Sequence, residues 1–326
     1  MARLAALGVL SVAVACAACQ SSDREVLVGG NAGRSSHPII NGEAPDAPEH
    51  GAVVALHDFL GKQWVLLSPF CSGVLVTSTV LLTAGHCVRS ERPGSFGVYV
   101  GNDPSRDLVE HLYEVSEVRV HPEFDPLRLR NDIALVRLAT AVTEPIAPVP
   151  PLGAADGLVS SDVGATLDFA GFGQDEDGHS GVKLHLEGPL GGFGCSVAGC
   201  TSDGDPSTQF SYTQGWGGPC FGDSGGPAFI KRSGQPRVAG LTSWGDGDCT
   251  VFGVSTRVDA YASFIQAFIG TGPSPACGNG TCDEGESCDG RDGTVACLSD
   301  CPGKLTGKPS SRYCTVGSSC AGAGCP

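Results

Sequence analysis

Between Ile39 and Gly270 the chain runs as a series of short segments rich in Val, Leu and Ile, and this pattern limits its fold more than any other feature. GAVVALH (51–57), KQWVLL (62–67), SGVLVTSTVLLTA (72–84), GVYVG (97–101), YEVSEVRVH (113–121) and DIALVRL (132–138) are broken by Gly, Pro, Asn and Asp. No amphipathic helix separates them, which argues against βαβ units and for antiparallel barrels or sandwiches. One helix closes the region. Tyr261, Phe264, Ile265, Phe268 and Ile269 recur at helical spacing as a packing stripe, and Gly270 and Gly272 stop it.

Cysteine sets the compartment and the organisation outside this region. Sixteen cysteines in 326 residues are too many for a reducing cytosol unless they hold metal. No H-E-x-x-H motif is present, so disulfides are the better explanation. Residues 1–18 read as a signal peptide: Arg3 precedes an apolar run from Leu4 to about Ala15, too short to span a bilayer. Its end, AVACAACQSS, resembles a lipoprotein lipobox, with Cys19 or Cys16 as the lipidation candidate and Ala13 or Cys16 where Leu is preferred. The alternative is ordinary cleavage that releases a soluble protein. Residues 19–38 are polar and Gly/Ser-rich and read as a linker or pro-segment, and 272–276 as a second linker. Residues 277–326 carry eight cysteines and almost no large aliphatic residues, so disulfides must staple this module. Eight cysteines allow about 105 pairings, and the connectivity stays open. The net charge of −15 disfavours nucleic acid and anionic membrane surfaces as partners.

The chemistry centres on CFGDSGGPAF (220–229). A serine hydroxyl becomes a nucleophile only with a base in reach and a carboxylate that orients the base. Glycines beside it let backbone N–H groups turn toward a developing oxyanion. The stretch also satisfies G-x-S-x-G, but an α/β-hydrolase needs its histidine after the serine. The eight histidines, at 37, 50, 57, 86, 111, 121, 179 and 185, all precede Ser224. Two segments suit a His-Asp-Ser order. CSGVLVTSTVLLTAGHC (71–87) ends an apolar run at His86, beside a cysteine that could bridge back to Cys71. RNDIALVRL (130–138) opens a buried-looking strand with Asp132, a carboxylate that needs a hydrogen-bonded partner such as an imidazole N–H.

LTAGHC, NDIALVRL and CFGDSGGP, in that order, resemble the three motifs of trypsin/chymotrypsin-like serine endopeptidases, with Gly85 where Ala is usual. GFG (171–173) and SWG (243–245) fall in the same order, and the resemblance covers about 39–271. It implies an all-β fold of two antiparallel six-stranded barrels with a C-terminal helix. It implies that Ser224 attacks the scissile carbonyl, His86 is base and then acid, and Asp132 orients His86. The N–H groups of Gly222 and Ser224 would form the oxyanion hole. It also suggests disulfides Cys71–Cys87, Cys220–Cys249 and a local Cys195–Cys200 loop. No cofactor or metal is expected for the reaction, and the partners are protein or peptide substrates.

Activation and specificity follow the same resemblance. IINGEAP would supply a freed N-terminus at Ile39, whose ammonium pairs with Asp223. Pro38 stands before it rather than Arg or Lys, so the cut requires a protease of other specificity or trimming from Arg34; the alternative is an enzyme that needs no such cut. The primary pocket falls to Gly218, to Ser243, Trp244 and Gly245, and to Gly253. Three glycines imply an open, neutral slot and apolar or aromatic P1 residues, unless Asp246 or Asp248 reaches inward. The tail, CGNGTCDEGESCDGRDGTVACLSDCPG, resembles cysteine-rich repeats appended to secreted proteins of myxobacteria and relatives. Asp283, Glu284, Glu286, Asp289 and Asp292 in it could hold calcium, although a solvated acidic loop is the simpler reading. A second function remains open, a silent surface-binding protein that uses this tail, against a secreted or lipid-anchored endopeptidase.

Overall fold

A computed structural model describes residues 39–60, 63–64, 69–107, 110–215 and 217–270, and the backbone of five short strands between 286 and 321. The signal segment with Cys16 and Cys19, the linker through Pro38, and the acidic and cysteine side chains of the tail lie outside the described residues.

The first half comprises β1 (Val53–Leu60), β2 (Gln63–Trp64), β3 (Cys71–Leu75), β4 (Val80–Thr83), β5 (Phe96–Tyr99), β6 (Leu112–Val120) and β7 (Ala134–Leu138). Their order is β2-β1-β3-β4-β7-β6-β5, and β1 also pairs with β5, so six strands close into a barrel and β2 extends β1 as a hairpin. Every residue of β3, β4, β5 and β7 is buried. That explains why these segments read as continuous apolar runs rather than as alternation. β6 carries the polar face, with Glu114, Glu117 and Arg119 among its apolar residues.

The second half comprises β8 (Thr166–Gly171), β9 (Leu184–Pro189), β10 (Gly192–Phe193), β11 (Gln209–Thr213), β12 (Pro227–Arg232), β13 (Gln235–Gly245) and β14 (Phe252–Arg257). All its pairings are antiparallel, in the order β10-β11-β14-β13-β12-β8-β9. No pair among the described residues joins β9 to β10, so this sheet is a half-barrel of seven strands rather than a closed barrel of six. The strand-rich segments were visible in the sequence, but which edges meet was not.

Two one-turn helices, α1 (Gly85–Val88) and α2 (Pro104–Asp107), lie in the first half, and α3 (Ala262–Gly270) follows β14. On α3, Ile265 and Phe268 are fully buried, whereas Phe264 and Ile269 are only half-buried against the core of the first barrel. In the tail, Glu286–Ser287 pairs parallel with Val295–Ala296, and Lys304–Thr306, Tyr313–Val316 and Ser319–Ala321 form an antiparallel three-stranded sheet.

Candidate active site

The chain turns sharply at both residues the first barrel contributes. β4 ends at Thr83, Ala84 stays extended, and α1 then presents His86 at the barrel rim. A disulfide between Cys87 and Cys71, with Cα atoms 6.1 Å apart, ties that single turn to the start of β3. Its two sulfurs are bonded to each other and so cannot join His86 as metal ligands. Asn131, at φ 52°, bends the chain into Asp132 just before β7.

Asp132 is fully buried, a costly place for a carboxylate unless donors surround it. Three donors do. Oδ1 accepts the backbone N–H of His86 at 2.8 Å. Oδ2 accepts from His86 Nδ1 at 2.8 Å and from the Ser243 hydroxyl at 2.5 Å. The Nδ1 contact fixes the proton of a neutral imidazole on that nitrogen and leaves Nε2 as the basic atom. Ser243, expected only as pocket wall, therefore also reaches from β13 to the carboxylate of the other half.

Ser224 stands on a turn that only glycine permits. Gly222 and Gly225 adopt φ of 99° and 80°, in the left-handed range. A Cβ on Gly225 would lie 2.1 Å from the Thr83 hydroxyl and 2.5 Å from the Ser72 carbonyl, so the loop packs directly on β3 and β4. Ser72 fastens the contact. Its N–H donates to the Ser224 carbonyl at 2.8 Å, and its hydroxyl donates to the Gly222 carbonyl at 3.0 Å while accepting the Phe172 N–H at 2.9 Å. Sequence reasoning missed Ser72, since nothing beside Cys71 marks a serine as a hub. In this way Ser224 comes to share with His86 a cleft of about 310 Å³.

Asp223 points the other way and is buried. Burial pushes its carboxyl up to about 7, against hydrogen bonds from the N–H groups of Cys220 at 2.9 Å and Gly173 at 2.8 Å. The glycines of GFG make its space, since a Cβ at Gly171 or Gly173 would lie 2.2 and 2.5 Å from its side chain. Ile39 is likewise buried, and Ile40 exchanges two backbone hydrogen bonds with Gly218, at 3.0 and 3.1 Å. The start of the described chain therefore lies along the loop that leads to Asp223.

The pocket differs from an open slot. Gly218 adopts φ 148°, and a Cβ there would lie 2.5 Å from Gln214 Nε2, which donates to the Pro219 carbonyl at 2.7 Å. A Cβ at Gly253 would lie 2.5 Å from the Tyr212 ring, which faces it across the β11–β14 pair. Gln214 and Tyr212, unmarked in the sequence, thus occupy space that the glycines free, and both line the cleft with Trp244 and Gly245. Asp246 also lines it, but its carboxylate accepts the N–H groups of Thr250, Val251 and Phe252. Burial raises this carboxyl, and the three bonds more than offset that and hold it below its usual value. Asp248 is exposed. Cys220 and Cys249 are bridged along the cleft wall, with Cα atoms 5.4 Å apart, and Cys195–Cys200 closes a five-residue step before β11.

The family model described as Trypsin matches residues 39–265. A trypsin of Saccharopolyspora erythraea is 28% identical over 246 residues, covering 72% of this chain and 99% of that protein. Serine protease 56 of Mus musculus is 34% identical over 222 residues, covering 64% of this chain and 36% of that protein. Vitamin K-dependent protein C of Rattus norvegicus is 29% identical over 214 residues, covering 61% of this chain and 46% of that protein. The chain thus spans less than half the length of the last two and nearly all of the first. With an antiparallel barrel, a facing half-barrel and a closing helix around His86, Asp132 and Ser224, the chain belongs to the trypsin family.

Proposed function

We propose that this chain is a serine endopeptidase that hydrolyses peptide bonds through an acyl-enzyme. The observation that carries the reading is Asp132, a buried carboxylate whose donors include His86 Nδ1 at the mouth of the cleft that also holds Ser224. In this account His86 Nε2 takes the Ser224 proton as the hydroxyl attacks and returns it to the leaving amine, while Asp132 stabilises the imidazolium. The N–H groups of Gly222 and Ser224 receive the oxyanion. The left-handed conformation of Gly222 supports that assignment.

P1 side chains are apolar or aromatic. Tyr212, Trp244 and the neutral amide of Gln214 line the cleft, and the oxygens of Asp246 are taken by backbone. The chain is made as a zymogen, and a cut before Ile39 frees an ammonium for Asp223. The buried Asp223 carboxyl has no cationic partner among its hydrogen bonds in the uncut chain, which supports this step. The three disulfides among the described residues suit an oxidising compartment. Export, a lipid at Cys19 or Cys16 and a targeting role for the tail complete the reading. The test incubates the cut protein with fluorogenic peptides that vary at P1, beside Ser224→Ala. Cleavage after Phe or Leu that vanishes in the variant is the expected result. Faster cleavage after Arg overturns the pocket assignment, and activity that survives in the variant overturns the mechanism.

A further inference from the structure

On the face of the second half that carries β8 and β9, one carboxylate organises two imidazoles. Asp168 Oδ2 lies 2.7 Å from His50 Nε2, and its Oδ1 lies 3.0 Å from His185 Nδ1. The two rings stack with centroids 4.2 Å apart. The backbone N–H groups of Asp46 and Ala47 both approach His50 Nδ1 at 3.2 Å, so that nitrogen is an acceptor and the ring proton sits on Nε2. The same logic puts the proton of a neutral His185 on Nδ1, facing Asp168. Its Nε2 is then a buried lone pair with no hydrogen-bond donor, and the Asp46 Oδ1 lies 3.3 Å away. With a neutral His185, two acceptors face each other across that gap, and either a proton or a metal cation between them resolves it.

We propose that Asp46, His50 and His185 bind a divalent transition-metal ion of the zinc class, outside the catalytic cleft. Asp46 Oδ1 lies 3.8 Å from His50 Nδ1 and 3.3 Å from His185 Nε2, separations that bonds of about 2.0–2.2 Å to one tetrahedral ion can span with a small closing movement. Asp168 holds both rings from behind, the arrangement that fixes tautomer and raises ligand basicity around bound zinc. Two imidazoles and one carboxylate select zinc over calcium or magnesium, which prefer oxygen. The Asp46 side chain is 72% exposed, and the site opens into a cleft of about 700 Å³ that Glu43, Glu49 and Glu187 also line, so the ion has an entry path and an attractive field. Binding displaces the two 3.2 Å contacts at His50 Nδ1 and leaves a coordination position for water. The ion cross-links the segment after Ile39, which carries Asp46 and His50, to strand β9, which carries His185.

The test uses the full oxidised chain carrying Ser224→Ala to prevent self-digestion, stripped of metal by a chelator. Zinc is titrated in by calorimetry and by thermal melting. One zinc per chain and a raised melting temperature are expected, with no response to calcium. Cobalt(II) in place of zinc should absorb without a thiolate charge-transfer band, which separates this site from the cysteines of the tail. Asp46→Asn, at an exposed position, and His185→Gln should each weaken zinc at least tenfold. Unchanged zinc affinity in both variants overturns the proposal. Absence of zinc binding in the parent also overturns it and leaves a proton, held between His185 and Asp46, as the bridging cation.

Discussion

Asp132 and Asp223 are both buried carboxylates, and they are satisfied in different ways. Asp132 has His86 and Ser243, whereas among the described residues Asp223 accepts from the N–H groups of Cys220 and Gly173. Its folded value of about 7 exceeds the ordinary 3.8, so the folded chain holds a proton that the unfolded chain releases between those limits. This contribution to stability is complete below about pH 4 and is lost as pH rises through about 7, by on the order of 4 kcal/mol for a shift of that size. In the cut form, an Ile39 ammonium favours the charged carboxylate and removes that loss. Melting temperatures of uncut and cut Ser224→Ala protein should therefore diverge in favour of the cut form as pH rises from about 4 to about 7. Parallel curves would contradict the pairing. His86, Asp132 and Ser224 were legible because each sits in a local motif whose residue types the chemistry demands. Gln214 and Tyr212 were not, since what they do depends on neighbours brought together by strand pairing, such as Tyr212 opposite Gly253.

At the level of elements, the loop that precedes β12 and carries Ser224 into the cleft packs on β3 and β4. Ser72 on β3 and the glycines of GFG at the end of β8 set how closely that loop can approach. Gly173→Ala puts a methyl 2.5 Å from the Asp223 backbone nitrogen as well as its carboxylate, and the backbone cannot swing aside as a side-chain end could. The loop must shift, and a displacement of about 1 Å at a reacting group costs on the order of 100-fold in rate. Steady-state kinetics should show kcat reduced by about that factor with KM less affected, whereas wild-type kcat would mean the loop tolerates the shift. The apolar runs announced β3, β4, β5 and β7, because burial on both faces removes alternation. They could not announce the open edge between β9 and β10, which is a matter of pairing and not of composition.

Across the whole molecule, the two halves are bound by more than the cleft. α3 leaves β14 of the second half yet buries Phe268 in the core of the first. Arg137 of β7 donates to the Phe268 carbonyl at 2.8 Å and lies 4.4 Å from the centre of its ring. Phe268→Ala should therefore cost about 3–5 kcal/mol and lower one shared unfolding transition. Urea unfolding followed by both fluorescence and far-UV dichroism checks this, and two separated transitions would show that the halves unfold independently. The helical stripe in the sequence predicted α3, but not that it would cross to the opposite barrel.

Residues from both halves make Ser224 a nucleophile, and the rate at which it reacts with a fluorophosphonate reports that activation. Cut wild-type protein should label at Ser224 in one-to-one stoichiometry. His86→Ala should slow labelling by several orders of magnitude, and Ser224→Ala should abolish it. Equal labelling rates in the wild type and His86→Ala, or a label on any other residue, would contradict the account.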